Sequence, residues 1–173
     1  LPSLNGVHLS ARVSLHRNGE KIFSENGEVL FKEYGLSGIV VLDMSAVIAR
    51  GKVAGINDGY VISLDMFENM GVAGLAKLLE TRFEKFGDTF TAGLMHNKIA
   101  QAAWQRLGRP LTKKSLPDFA ALVKNFTFRF DSLVDRSMAQ VIAGGVEEKF
   151  LDEMNRLQGA EIYCVGEALN VDG

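Results

Sequence analysis

Val7-His8-Leu9-Ser10-Ala11-Arg12-Val13-Ser14-Leu15-His16-Arg17-Asn18-Gly19-Glu20 sets the architecture of the chain's first third. Val7, Leu9, Ala11, Val13 and Leu15 alternate with His8, Ser10, Arg12, Ser14 and His16. A period of two sends one set to a core and the other to solvent, as on a half-buried strand. Asn18-Gly19 then favours a type I′ hairpin turn, because both central positions of that turn need positive φ. Residues 21–23 read as the return strand, and Asn26-Gly27 as a second turn before Val29-Leu30-Phe31. Residues 38–42 and 47–53 are rich in β-branched side chains and read as further strands. So does 60–64, which follows the turn Asn57-Asp58-Gly59. Short strands, frequent glycine turns and no early helix predict a small antiparallel β-barrel or curled sheet.

The period changes after Asp65. Residues 67–86 carry Leu75, Leu78, Leu79 and Phe83 in a helical stripe, with Gly71 and Gly74 weakening its first turns. Residues 89–107 read as a second amphipathic helix containing His96, ended by Gly108-Arg109-Pro110. Ser115 is a candidate N-cap for a third helix through Val123, with Pro117 in its first turn. Phe126-Thr127-Phe128-Arg129-Phe130 returns to alternation. The expected fold is therefore α+β: a small antiparallel β-barrel (1–66 and 125–137) with an inserted three-helix lobe (67–124). Trp104, Phe83, Phe86 and Phe119 are expected to pack between the lobe helices. From Met138 onward a different pattern begins, with polar, turn-like residues 147–157 and a short buried strand at 162–165. Residues 138–173 are expected to be a returning fragment of another domain.

The gross numbers exclude several classes. The chain has 173 residues, enough for one substantial core or two small lobes. With 19 basic and 21 acidic residues its formal charge is −2, which gives no net attraction to nucleic acid or an acidic membrane. No apolar run approaches the ~20 residues that span a bilayer. The opening residues are polar and strand-like, unlike a secretory signal. Leu1 in place of a starting Met points to a longer polypeptide. One cysteine, Cys164, excludes an internal disulfide and suits a reducing, cytoplasmic setting. It is expected to be a buried strand thiol.

Gly27-Glu28-Val29-Leu30-Phe31-Lys32-Glu33-Tyr34-Gly35-Leu36-Ser37-Gly38 resembles the GELLFTHxGLSG signature of the HI0933-like flavoproteins. This is the BaiN or YhiN family, with an aminoacetone-oxidase-like subgroup. Gly93-Leu94-Met95-His96-Asn97-Lys98-Ile99-Ala100-Gln101-Ala102 is similar to that family's second insert helix. Lys124-Asn125-Phe126-Thr127-Phe128 is similar to its return strand. Residues 139–146 resemble its AQVTAGGV motif with Ile142 for Thr, and 166–173 its GExLDVDG motif with Asn170 for Asp. Together these motifs run through nearly the whole chain in the family's order.

The resemblance implies an insert domain from an FAD-dependent oxidoreductase, inactive by itself, that shapes the substrate and flavin site of the intact protein. It implies FAD in that parent and none on this fragment. The implied partners are the remainder of the FAD-binding domain and a small-molecule substrate. Nucleic acid and membrane are not implied. The implied cofactor-binding residues are Ala143, Gly144, Gly145, Gly166, Glu167, Asn170, Asp172 and Gly173. Glycine lets a backbone approach a planar ring without a Cβ clash, and the acidic and amide groups accept hydrogen bonds from hydroxyls. Asn170 keeps that polarity without the charge. The alternative is a cofactor-independent binding or structural interaction module.

Other side chains suggest no catalytic assignment. Gly35-Leu36-Ser37-Gly38 lacks the phosphate-loop pattern and reads as a structural turn. Asp43 and Asp65 read as strand ends that cap turns. His8 and His16 are too far apart for a compact metal site without a further ligand, so no metal is expected. Ser37 and Ser137 have no evident His–Asp partners.

Overall fold

The computed structural model describes residues 2–53, 55, 58–133 and 144–170. It divides into two compact units, residues 1–45 with 58–133 and residues 46–57 with 134–173.

The first unit is built on one antiparallel sheet of β1 (His8–Arg17), β2 (Glu20–Lys32), β3 (Gly35–Ser37), β4 (Tyr60–Asp65) and β5 (Phe126–Arg129), in the order β3-β2-β1-β4-β5. The sheet curls into a half-barrel, and the fold class is α+β as expected. The β1–β2 hairpin turns at Asn18-Gly19, where both residues have positive φ (51° and 86°) and Arg17 pairs with Glu20. Alternation along β1 holds in part: Ala11, Val13 and Leu15 are buried, as are Val29, Phe31, Leu64 and Phe126 of the core, but Ser14, expected on the solvent side, is buried too and shares a hydrogen bond with Ser24. The predicted turn at Asn26-Gly27 does not exist. Both residues lie inside β2, where Asn26 pairs with Arg12 and Gly27 with Ala11. One long strand satisfies its backbone groups along β1, so no second hairpin is needed.

The main departure from expectation is α1 (Ile39–Val53), which replaces both strands read at 38–42 and 47–53. Val40, Val41, Met44 and Ile48 are its buried residues, a spacing that belongs to a helix face. The β-branched content pointed to strands, and tertiary packing overrode it. Asp43 consequently lies exposed within a helix and ends no strand. Two glycines seat this helix. A Cβ on Gly27 would stand 2.7 Å from Val40 Cβ, so β2 needs a bare backbone where α1 crosses. Gly38 has φ +115°, and a Cβ there would collide with the carbonyl oxygen of Glu28. Its own carbonyl accepts from the amides of Val41 and Leu42, which starts the helix. Gly35–Ser37 is thus strand β3, paired with Leu30–Lys32 of β2, and not the turn read from the sequence; the chain bends only at Gly38.

Between β4 and β5 run α2 (Val72–Phe86), α3 (Asn97–Leu107) and α4 (Leu116–Lys124). The first two are shorter than the apolar pattern suggested. Residues 66–70 form turns, with Asp65 Oδ1 accepting from the Phe67 amide at 2.9 Å, so Asp65 caps a turn as expected. Residues 87–89 are a short 3-10 segment, and Gly93 at φ +76° stops the chain before His96. His96 is the N-cap of α3 and not an interior residue; its Nδ1 accepts from the Lys98 amide at 3.2 Å. Ser115 stands at the start of α4 but makes no side-chain cap bond there. Its hydroxyl instead donates to the Pro110 and Thr112 carbonyls.

Leu75, Leu79, Ile99, Ala103, Leu116, Phe119 and Val123 form the helical core around buried Phe90. Trp104 stacks on Phe119 at 4.4 Å between centroids, and Phe83 meets Phe90 edge-on. Phe86 is the exception to the predicted packing: it is 45% exposed, with Arg82 and Lys85 over its ring.

Replacing Gly38 by Ala is expected to destabilise the first unit by about 2 kcal/mol, because the positive φ and the crowding against Glu28 both oppose a Cβ. Urea denaturation of the wild-type chain and the variant measures this, and an unchanged midpoint would refute the packing described.

Candidate functional site

Five of the eight implied cofactor-binding residues, Gly144, Gly145, Gly166, Glu167 and Asn170, are described, all of them exposed. Ala143, Asp172 and Gly173 lie outside the described residues, as does Ser137. The structure brings the two motif segments together. Val146 and Leu169 form a parallel bridge. The Val146 amide donates to the Ala168 carbonyl and the Asn170 amide to the Val146 carbonyl, both at 2.9 Å.

The glycines divide the work. Gly145 is pressed on the returning backbone: a Cβ there would lie 2.5 Å from Leu169 C and 2.7 Å from Asn170 N. Its bareness serves chain-to-chain contact. Gly144 has φ +100° with nothing among the described residues within 4 Å of a Cβ position, so its backbone conformation distinguishes it. Gly166 at φ +58° opens a short 3-10 turn through Ala168 that carries Glu167. Glu167 and Asn170 therefore offer exposed acceptor oxygens beside the joined segments. Exposed carboxylate and amide oxygens of this kind can accept hydrogen bonds from the hydroxyls of a group such as a flavin dinucleotide.

The intervening residues 147–165 fold back on themselves by short-range bonds. Residues 148–150 form a 3-10 turn. Asp152 Oδ1 accepts from the amides of Arg156 and Met154, each at 2.9 Å. Those bonds, that from Arg156 first, hold its carboxyl below the ordinary aspartate range. The Leu157 amide donates to Ile162 and the Cys164 amide to Asn155. The expected buried strand at 162–165 is not formed. Only an isolated Arg156–Tyr163 bridge occurs there, and Ile162, Tyr163 and Val165 are 56%, 60% and 70% exposed. Cys164 alone of the four is buried. A strand needs a partner strand to bury its apolar run, and the described residues supply none.

A separate concavity lies wholly in the first unit. A crevice of ≈ 320 Å³ is lined by Ala11, Asn26, Asp65, Met66, Phe67 and Met70, among others. A second, of ≈ 220 Å³, shares Met66 and Phe67 and adds Leu94, Met95 and His96. Arg12 braces the rim of the first: Nε donates to Asn26 Oδ1 and Nη2 to Glu68 Oε2, each at 3.0 Å. Sequence reading missed these residues because it placed 67–70 inside a helix, which hides their convergence.

Compared with known protein families, residues 1–141 match the HI0933-like protein barrel and H2TH domain. The chain belongs to the HI0933-like family. The match extends over β1 through β5 and the four helices. No curated protein matches the chain. Within this HI0933-like domain the histidines have ordinary partners. His8 Nδ1 is 3.3 Å from Glu28 Oε1, and His16 Nε2 is 3.3 Å from Ser63 Oγ. No cluster of three metal-ligating side chains occurs among the described residues, and no helix there is long and apolar enough to cross a membrane.

Two predictions follow from the loop geometry. Gly145→Ala is expected to speed amide exchange at Val146 and Asn170 roughly tenfold by forcing the segments apart, whereas Glu167→Ala leaves both rates unchanged. Asp152 has a depressed folded pKa, so its turn is fully stabilised above the ordinary aspartate value of 3.8 and loses that support as pH falls through the lowered value. The Met154 and Arg156 amide resonances should hold steady from neutral pH down to that value and move only below it. In Asp152→Asn this pH response should vanish.

Proposed function

We propose that this chain is the insert domain of an FAD-dependent oxidoreductase of the BaiN-like, aminoacetone-oxidase-like subgroup, acting in the cytoplasm. In this reading residues 67–124 are a lobe inserted into a barrel of 1–66 and 125–137, and residues 138–173 return into the FAD-binding domain. The remainder of that domain is the partner, and a small molecule is the substrate. Neither nucleic acid nor membrane takes part.

The observation that supports this most is the pairing of 144–146 with 168–170. Two segments implied separately by resemblance meet through two backbone hydrogen bonds. When bound, FAD would supply the electron and hydride transfer. The protein's own contribution is to bind and orient. Gly144 permits close approach of the backbone, and Glu167 and Asn170 accept hydrogen bonds from ribityl or ribose hydroxyls. Ala143, Asp172 and Gly173 belong to the same proposed set. The Met66–Phe67–Met70 crevice offers a concave surface in this domain on which a small molecule could rest, with apolar side chains beside the polar groups of Asn26, Asp65 and Glu68. No acid or base is assigned.

FAD titration followed by flavin fluorescence and absorbance tests the proposal, using the 173-residue chain and a longer polypeptide that contains it. Stoichiometric binding by the longer polypeptide alone is expected, weakened about tenfold by Glu167→Ala. Tight binding by the chain alone would overturn the fragment reading. Binding by neither would overturn the flavin reading.

A further inference from the structure

The start of α3 hangs on a nitrogen that can take a proton. His96 is the N-cap, and its Nδ1 accepts from the Lys98 amide at 3.2 Å. Its carbonyl accepts from the amides of Ile99 and Ala100 at 2.9 and 3.1 Å. A ring nitrogen that accepts carries no hydrogen, so the capping form is the neutral imidazole with its proton on Nε2. Serine, asparagine and aspartate, the usual N-caps, keep their acceptor oxygens from about pH 5 to 8. Histidine keeps its acceptor only while the ring is neutral.

The first turn of α3 holds no acidic side chain to take over from the ring. It holds a cation, Lys98, whose Nζ reaches the Asn5 carbonyl at 3.4 Å. A protonated His96 loses its bond to the Lys98 amide and adds positive charge beside amides that already form the positive end of the helix dipole. Acids on the neighbouring elements have partners of their own. Glu33 accepts from Asn5, and Glu28 stands beside His8 of β1. After β4, Asp65 is paired with Lys124 of α4 and Glu68 with Arg12 of β1. Asp118 of α4 is paired with Arg109, and Pro2–Leu4 carries no ionisable side chain.

The same turn is a wall of the smaller crevice. His96, Met95 and Ile99 line it together with Leu9 of β1 and with Met66 and Phe67 from the turn after β4. No residue that lines it with His96 ionises. Ile99 is buried, so a first turn that loosens moves that wall. We propose that His96 is a proton-operated latch on the crevice: the neutral ring closes the first turn of α3, and protonation releases it. The support is present while the ring is neutral and is lost as pH falls through the imidazole range. The inference rests neither on the flavin reading nor on what the crevice binds, and the FAD titration leaves it untouched.

Urea denaturation of the wild-type and His96→Asn chains between about pH 8 and about pH 5 tests the latch. Asparagine keeps a cap acceptor and does not titrate. His8 and His16 titrate in both chains and cancel in the difference. On acidification the folding equilibrium constant of the wild-type chain is expected to fall about fivefold relative to the variant, centred where the His96 ring resonance titrates. The methyl resonances of Met66 and Met95 should move at that same pH in the wild-type chain and hold still in the variant. His96→Ala, uncapped at every pH, should lie about fivefold below wild type near neutrality and close that gap on acidification, which keeps the test valid should the Asn variant fail to fold. A wild-type-to-variant difference that does not change with pH overturns the proposal. So do methyl shifts of equal size in the variant.

Discussion

The excursion from β4 through three helices to β5 leaves and returns at one ion pair. Lys124 Nζ bonds both oxygens of Asp65, at 2.8 and 3.0 Å, and the Phe67 carbonyl at 2.7 Å. The two side chains are only 12% and 24% exposed. Beside them the Met66 amide reaches the Val123 carbonyl at 3.3 Å. Contacts between residues so distant in sequence must offset a loop-closure cost. A pair this shielded from water is expensive to break from one side, because the remaining charge loses its partner without regaining full hydration. β5 can therefore follow α4 directly into register with β4. The same clamp sets the crevice wall, since Asp65, Met66 and Phe67 all line it.

Close backbone approach is the second organising constraint. Gly27 admits α1, Gly38 turns the chain against Glu28, and Gly145 admits the segment ending in Asn170. Two of these glycines bound the longest motif shared with the HI0933-like family, and their service there is packing. At these two positions the bare backbone serves the seating of a helix on a strand. Gly144 differs, because no neighbour among the described residues lies within 4 Å of its Cβ position. For that reason the proposed flavin contact rests on Gly144, Glu167 and Asn170, and Gly145 is left to hold the two segments together.

Local chemistry determined much of this protein. The alternation of β1, the Asn18-Gly19 turn, the apolar stripes of α2 and α4, and the family motifs were all legible in the sequence, because each depends on residues within a few positions of one another. The motifs also marked 144–145 and 166–170 as related. Their meeting through Val146 and Leu169 was a tertiary fact, since neither segment carries a sign of its partner's register. Tertiary structure likewise made 39–53 a helix against its β-branched composition, because Gly27 of a distant strand leaves room for Val40. It removed the turn at Asn26-Gly27 because β1 pairs with β2 on both sides of those residues, from Glu20 to Leu30. It left Ile162, Tyr163 and Val165 exposed because a strand exists only with a partner. The sequence by itself determined which segments favour which local conformation; long-range packing decided which of those preferences could be satisfied at once.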